Sequence, residues 1–328
     1  MKENTETSKA YESVGVIGAG AWGTALAFAA AQAGRRVTLW AREAAVVDAI
    51  RDGRENRAFL PGVTLPKTIA ATGDIAEAAS AEALLVVVPA QHLRAVVRGL
   101  AKGKPLVLCA KGIEKTTGML LTEVLAEAAP DCVPAILSGP SFAHDVARGL
   151  PTAVTVAARE MDIALRLQAT LGHATFRPYA SDDPTGVALG GAAKNVYAIA
   201  CGIVDGLGLG ESARAALIAR SFAELGRLGQ ALGARSDTLM GLSGLGDLVL
   251  TATSTTSRNF SYGRALGQGR EAGHALAEGV ETAPAIVKRA RAEGVELPVA
   301  EAVAAVLEGH LPLGEAVIRL MSRPLKPE

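Results

Sequence analysis

The chain has 328 residues, 49% of them hydrophobic, and its 33 basic side chains balance 33 acidic ones. That length exceeds what one ordinary core supports, so two domains are expected, with ample apolar material for both and no compositional sign of extended disorder. The even charge argues against nucleic acid or an anionic membrane as main partner, and three widely spaced cysteines (Cys109, Cys132, Cys201) suggest neither a disulfide framework nor a metal site.

The first dozen residues, MKENTETSKAYE, are polar and lack an apolar core. They predict a flexible tail over 1–12 rather than a secretory signal, and a cytoplasmic protein. From Val14 to about Pro178, short apolar runs alternate with alanine-rich segments. Val14–Ile17, Val37–Trp40, Leu84–Val88, Leu106–Ala110, Ala135–Leu137 and Ala153–Val156 read as strands, and Thr24–Ala33, Ala44–Ile50, Gln91–Leu100, Thr117–Ala128 and Phe142–Arg148 as helices. Strands without polar alternation, separated by helices, predict a parallel sheet covered on both faces over residues 13–187. After Tyr179 comes the turn-rich ASDDPTG, and beyond it strand signals vanish. Segments 187–205, 212–233, 259–268, 282–293 and 298–308 read as helices, so an all-helical substrate and catalytic domain is expected over 188–328. The apolar stretch from Val187 to Val204 is rich in Ala and Gly and carries Lys194, which argues against a membrane span.

Gly18, Gly20 and Gly23 spell G-x-G-x-x-G between the first strand and the first helix. In that setting the first glycine permits a tight turn, the second lets a pyrophosphate approach the backbone, and the third lets helix and strand pack closely. The N–H groups and dipole of the helix start favour the anion. The expected fold is thus α/β, a doubly wound Rossmann-type sheet followed by the helical domain. The second strand ends in Trp40-Ala41-Arg42-Glu43. An arginine there suits the 2′-phosphate of NADP and an acid suits the ribose of NAD, so NADP(H) is expected to be preferred and NAD(H) tolerated.

Ligands of doubly wound sheets bind beyond the carboxyl ends of the strands. Lys111 stands at such an end in LCAKG, and Ser138-Gly139-Pro140-Ser141 offers hydroxyls and backbone donors at another. In the helical half, Lys194 is the only charged residue between Asp183 and Asp205, with Gly190, Gly191 and Ala198 as helical neighbours. Burial there lowers a lysine's pKa toward neutrality, where it can exchange protons. Asp247 follows a glycine-rich turn in apolar surroundings and is the natural partner of Lys194. Ser257-Arg258-Asn259 opens a helix with a hydroxyl, a guanidinium, an amide and free N–H groups, a set suited to a phosphate dianion. Bare capping would equally explain Ser257 or Asn259. The five histidines are scattered without metal-ligand spacing.

Taken in order, GAGAWGTALA, FLPGV, VVVPA, KGIE, LSGPSFA, LPTAV, LGGAAKNVYAIACGIVDGLGLG, ARAALIARSFAELGRLG, GLSGLGDLVLTATSTTSRN and AEGVET closely resemble the bacterial NAD(P)-dependent glycerol-3-phosphate dehydrogenases. The resemblance implies interconversion of dihydroxyacetone phosphate and sn-glycerol 3-phosphate, supplying glycerophospholipid synthesis. It makes Lys194 the catalytic lysine, and places Lys111, Gly139, Ser141, Asp247, Ser257, Arg258 and Asn259 around the substrate. It places Ala21, Trp22, Arg42, Phe59, Lys111, Ala143, Arg258, Leu276 and Glu278 on the cofactor. Ala21 stands where the family usually has serine, LAEG at 276–279 replaces a more usual Val-Val-Glu-Gly, and Glu43 stands where a basic residue is common. These departures bear on cofactor affinity and phosphate preference rather than on the reaction.

Two rival readings remain at this point. A 3-hydroxyacid dehydrogenase can share the two-domain plan but needs a carboxylate site. A non-catalytic NAD(P)-sensing protein would bind without turnover and has no use for a buried Lys194–Asp247 pair. A homodimer is expected from the apolar helical half.

Overall fold

The computed structural model describes residues 9–100, 102–271 and 277–322. Two compact units emerge from the contacts: 1–110 with 121–187, and 111–120 with 188–328.

The first unit is an eight-stranded sheet in the order β3-β2-β1-β4-β5-β6-β7-β8. Its strands are β1 Ser13–Ile17, β2 Arg36–Trp40, β3 Ile69–Thr72, β4 Ala83–Val86, β5 Pro105–Leu108, β6 Val133–Ser138, β7 Thr152–Ala158 and β8 Phe176–Ser181. Between them lie α1 Ala21–Gln32, α2 Ala44–Gly53, α3 Ile75–Ala79, a 3-10 turn Ala90–His92 leading into α4 Leu93–Val97, α5 Leu121–Ala128, α6 Ala143–Ala147 and α7 Met161–Leu171. Val14, Val16, Leu39, Leu85, Val107, Leu137, Val154 and Val156 are buried together with Leu26 of α1 and Leu167 of α7, as a sheet covered on both faces requires.

The parallel expectation holds except at one joint. β7 pairs antiparallel with β6 in the register Ala135↔Ala158, whereas β8 is again parallel to β7. β6 and β7 are joined through the five-residue α6, and β7 and β8 through the eleven-residue α7. β3 and β8 were not expected from the sequence. IAAT carries one bulky apolar residue, and FRPYAS is interrupted by Arg177 and Pro178.

In the second unit, α8 Pro184–Gly206 (which starts within the first), α9 Glu211–Ala231, α10 Ser236–Met240, a π-helical turn Leu242–Gly246, α11 Asp247–Thr253, α12 Arg258–Gly267, α13 Glu278–Ala292, α14 Pro298–Leu307 and α15 Leu313–Met321 follow one another. By length and composition α8 could cross a membrane, but 94% of its most apolar window is buried, as befits the central helix of a bundle. Its packing is made by missing side chains. A Cβ on Gly202 would collide with the Phe260 carbonyl, and one on Gly206 with that of Arg264. On the facing helix, a Cβ at Gly263 would strike the Ile199 carbonyl. The backbones of α8 and α12 therefore touch through reciprocal glycines four residues apart. Asp205 then closes the far end of this pair, accepting from Arg214 of α9 at 3.0 Å and Arg264 of α12 at 2.9 Å.

One carboxylate holds the other side of the bundle. Glu224 of α9, 3% exposed, accepts the backbone N–H groups of Val299 at 2.7 Å and Ala300 at 3.3 Å, and the Tyr197 hydroxyl of α8 at 3.4 Å. The N-cap position of α14, Leu297, has no side chain able to do this, so the cap is supplied from another helix. Burial pushes the Glu224 carboxyl up to about 7, against the opposing pull of the two N–H groups and Arg227.

Candidate active site

In the first unit the sheet reverses its winding between β1 and β4, and the glycine loop sits at that switch. Gly18 has φ +116°, and a Cβ there would lie 2.7 Å from the Val87 carbonyl; at Gly23 it would collide with the carbonyl of Gly18. Gly20 differs, because a Cβ there would meet nothing within 4 Å. Two glycines thus serve close packing and the third leaves open space before the uncapped start of α1. That arrangement fits a dinucleotide pyrophosphate.

Ala21 and Trp22 begin α1, and the Trp22 indole Nε1 is buried without a hydrogen-bond partner. At the end of β2, exposed Arg42 pairs with Glu43 at 3.0 Å. Phe59 is 44% exposed, and Ala143 opens α6. Gly139 has φ +152°, and a Cβ there would stand 2.8 Å from Val154 Cα. Ser141 turns its hydroxyl back to the Gly139 carbonyl at 3.0 Å, whereas Ser138 Oγ is buried without a partner.

The second unit gathers Lys111, Lys194 and Asp247 into one buried cluster. Lys111 arrives on the segment 111–120, which is tied to α13 by Lys288 Nζ donating to the Thr116 carbonyl (2.9 Å) and by a Lys115–Glu281 pair (2.7 Å). Asp247 arrives through the π-helical turn. A Cβ on Gly190, one turn before Lys194, would stand 2.6 Å from the Ser243 carbonyl. The bare face of α8 thereby lets that turn close and set Asp247 beside the lysine. Asp247 is wholly buried; its Oδ1 accepts from Lys194 Nζ at 2.7 Å and its Oδ2 from Lys111 Nζ at 2.6 Å. The lysine side chains are only 9% and 13% exposed. Two ammonium groups thus share one carboxylate in a poorly solvated place.

Burial pushes the Lys194 ammonium down to about 8; Asp247 opposes the shift and Lys111 adds to it. Thr251, which the sequence reading missed, donates to Asp247 Oδ1 at 3.3 Å and accepts from Lys194 Nζ at 2.9 Å. Its signal was available, since it lies four residues after Asp247 on one helical face.

Around the start of α12, Ser257 is buried and caps the helix by accepting from Phe260 N at 3.2 Å. Arg258 is exposed as the first helical residue. Asn259, buried, is held at both ends of its amide. Its Nδ2 donates to Asn195 Oδ1 at 2.9 Å, and its Oδ1 accepts Gly279 N at 2.9 Å. It braces α12 to α8 and to the start of α13, which a sequence reading centred on phosphate did not foresee. Asn195 Nδ2 is buried without a partner. Glu278 opens α13, and burial raises its carboxyl above the usual range while Arg258, Lys194 and Lys111 pull it down. Leu276 lies outside the described residues.

A buried lysine of lowered pKa, held by a carboxylate and accompanied by a second cation, can exchange a proton and stabilise an oxyanion. Family models for the N-terminus and the C-terminus of NAD-dependent glycerol-3-phosphate dehydrogenase match residues 13–164 and 183–318. A glycerol-3-phosphate dehydrogenase (NAD(P)+) of Parvibaculum lavamentivorans is 57% identical, over 97% of this chain and 99% of its own. One from Bradyrhizobium sp. strain BTAi1 is 60% identical over the same shares. The crystal structure of glycerol-3-phosphate dehydrogenase from Coxiella burnetii superposes with a TM-score of 0.90 at 37% identity, covering 95% of this chain and 99% of that one.

Proposed function

Since the chain belongs to the NAD-dependent glycerol-3-phosphate dehydrogenase family, we propose how its residues divide the interconversion of dihydroxyacetone phosphate and sn-glycerol 3-phosphate. The observation that carries this reading is Asp247 shared between Lys194 and Lys111.

Bound nicotinamide supplies or takes up the hydride at C2 of the substrate. Lys194 handles the proton. In reduction its ammonium protonates the oxygen on C2; in oxidation its neutral amine removes the hydroxyl proton. A pKa of about 8 keeps both forms accessible near neutrality. Asp247 and Thr251 fix the direction of the Lys194 nitrogen, while Lys111 polarises the carbonyl and favours the developing alkoxide.

Arg258, Ser257 and Asn259, with the N–H groups at the start of α12, hold the substrate phosphate. Asn259 contributes its remaining amide hydrogen and, above all, its brace. Such a guanidinium-and-helix anchor favours a phosphate over the carboxylate of a 3-hydroxyacid. For the cofactor, Gly18, Gly20 and Gly23 would take the pyrophosphate, with Ala21, Trp22, Phe59 and Ala143 of the same unit along the remainder. Arg42 would donate to the 2′-phosphate, so NADPH is preferred, and the Glu43 carboxylate beside it leaves NADH usable. The enzyme works in the cytoplasm as a homodimer and feeds glycerophospholipid synthesis. Exposed Met240 and Val249 on the helical unit support the dimer.

Lys194→Ala tests the assignment. Turnover is expected to fall by about 10²–10⁴, while NADPH titrated into the free enzyme binds as before. Near-normal turnover would remove Lys194 from the mechanism.

A further inference from the structure

Asn56 takes no part in the chemistry described above, yet it is only 1% exposed within a connection, residues 54–66, that forms neither helix nor strand. A buried carboxamide needs partners, and this one finds them on the glycine loop. Its Nδ2 donates to the Ala19 carbonyl at 2.8 Å and to the hydroxyl of Thr24 at 2.8 Å, and its Oδ1 accepts Phe59 N at 3.2 Å. Thr24 is completely buried, and its hydroxyl also reaches the Ala19 carbonyl at 3.4 Å.

Ala19 lies between Gly18 and Gly20, so its carbonyl belongs to the peptide unit that carries the Gly20 N–H. In a planar trans peptide these two groups point in opposite directions. Drawing the Ala19 carbonyl toward Asn56 and Thr24 therefore turns the Gly20 N–H away from them. No backbone acceptor among the described residues takes that N–H, and the space beside Gly20 is open.

The geometry points to Asn56 as the positioning residue of the dinucleotide loop: with Thr24 it locks the Ala19–Gly20 peptide so that the Gly20 N–H is presented to a pyrophosphate, and it ties that loop to Phe59. This rests on the reading that the glycine loop holds the dinucleotide. What Asn56 sets is affinity for the pyrophosphate, independent of the nicotinamide ring and of the 2′-phosphate.

The test titrates free wild-type and Asn56→Ala enzyme with NADPH, with ADP-ribose, which keeps the pyrophosphate but lacks nicotinamide, and with adenosine 2′-monophosphate, which has no pyrophosphate. NADPH and ADP-ribose are expected to weaken together by about tenfold, the worth of one well-placed hydrogen bond. Adenosine 2′-monophosphate should stay within about twofold, and the KM for NADPH should rise with kcat nearly unchanged. Thr24→Val, which removes only the bridging hydroxyl, should give a smaller loss of about threefold, and it decides the matter should Asn56→Ala fail to fold. Unchanged NADPH affinity in the variants, or equal weakening of all three ligands, overturns the role of Asn56. Failure of the wild-type enzyme to bind either pyrophosphate ligand would instead overturn the reading beneath it.

Discussion

Replacing Asp247 by Asn keeps the shape of the side chain and removes the one negative charge between two lysines. Asp247 has no solvent exposure, and the lysine side chains it holds are 9% and 13% exposed, so little water is present to screen the loss. Burial and the charge of Lys111 both depress the Lys194 ammonium, and Asp247 is the chief force opposing them. An opposite charge at this range shifts a pKa by about 1–3 units. In Asp247→Asn, Lys194 should therefore titrate near about 6 instead of about 8. Reduction of dihydroxyacetone phosphate needs the ammonium, so its rate falls as pH rises through that value. At pH 8 the charged fraction drops from about a half to about a hundredth, a loss of roughly fifty-fold, whereas at pH 6 the loss is about twofold. Initial rates at saturating NADPH, taken from about pH 5.5 to about pH 9, read the displacement of the alkaline limb directly. A limb that stays in place, with the rate lowered equally at every pH, would show that Asp247 does not hold the charge of Lys194.

Three further outcomes follow from the packing and the caps. Glu224 titrates near about 7 in the folded protein against 4.5 for the free group. Its share of stability is present at acid pH and is lost as pH rises through that window, so Glu224→Gln should be more stable than wild type by about 3 kcal/mol at pH 8 but by less than about 1 kcal/mol at pH 5. Calorimetric melting at the two pH values checks the sign. Gly202→Ala, whose new methyl would collide with the Phe260 carbonyl, should destabilise the helical unit by about 1–3 kcal/mol in urea unfolding. Within the glycine loop, Gly20→Ala should melt like wild type but bind NADPH weakly, whereas Gly23→Ala should lose stability first, because only the latter meets protein atoms.

Local chemistry made much of this molecule readable. The glycine spacing, the strand runs around β1, β2, β4 and β5, and the pairing of a lone lysine with a lone aspartate all follow from residues judged within their own neighbourhoods. What escaped depends on distance along the chain. Lys111 meets Asp247 across 136 positions, and the link from Asn259 to Gly279 emerges only once α12 and α13 are side by side. β3 and β8 are stabilised by neighbouring strands more than by their own composition, so IAAT and FRPYAS carried little signal. The reversed β7 carried no local signal, because five-residue helices also make the parallel returns from β3 to β4 and from β4 to β5. Glu224 looked like one more charge on a helix until three elements closed around it.

The contacts made by α8 through its glycines leave that helix unable to roll or slide, and so make it a fixed datum for everything arranged around Lys194. Adaptation to a different substrate would have to be sought in segments that approach from outside, such as 111–120 and the turn before Asp247. Gly190, Gly202 and Gly206 are the wrong places to engineer, since a side chain there would push the facing backbones apart before it altered selectivity.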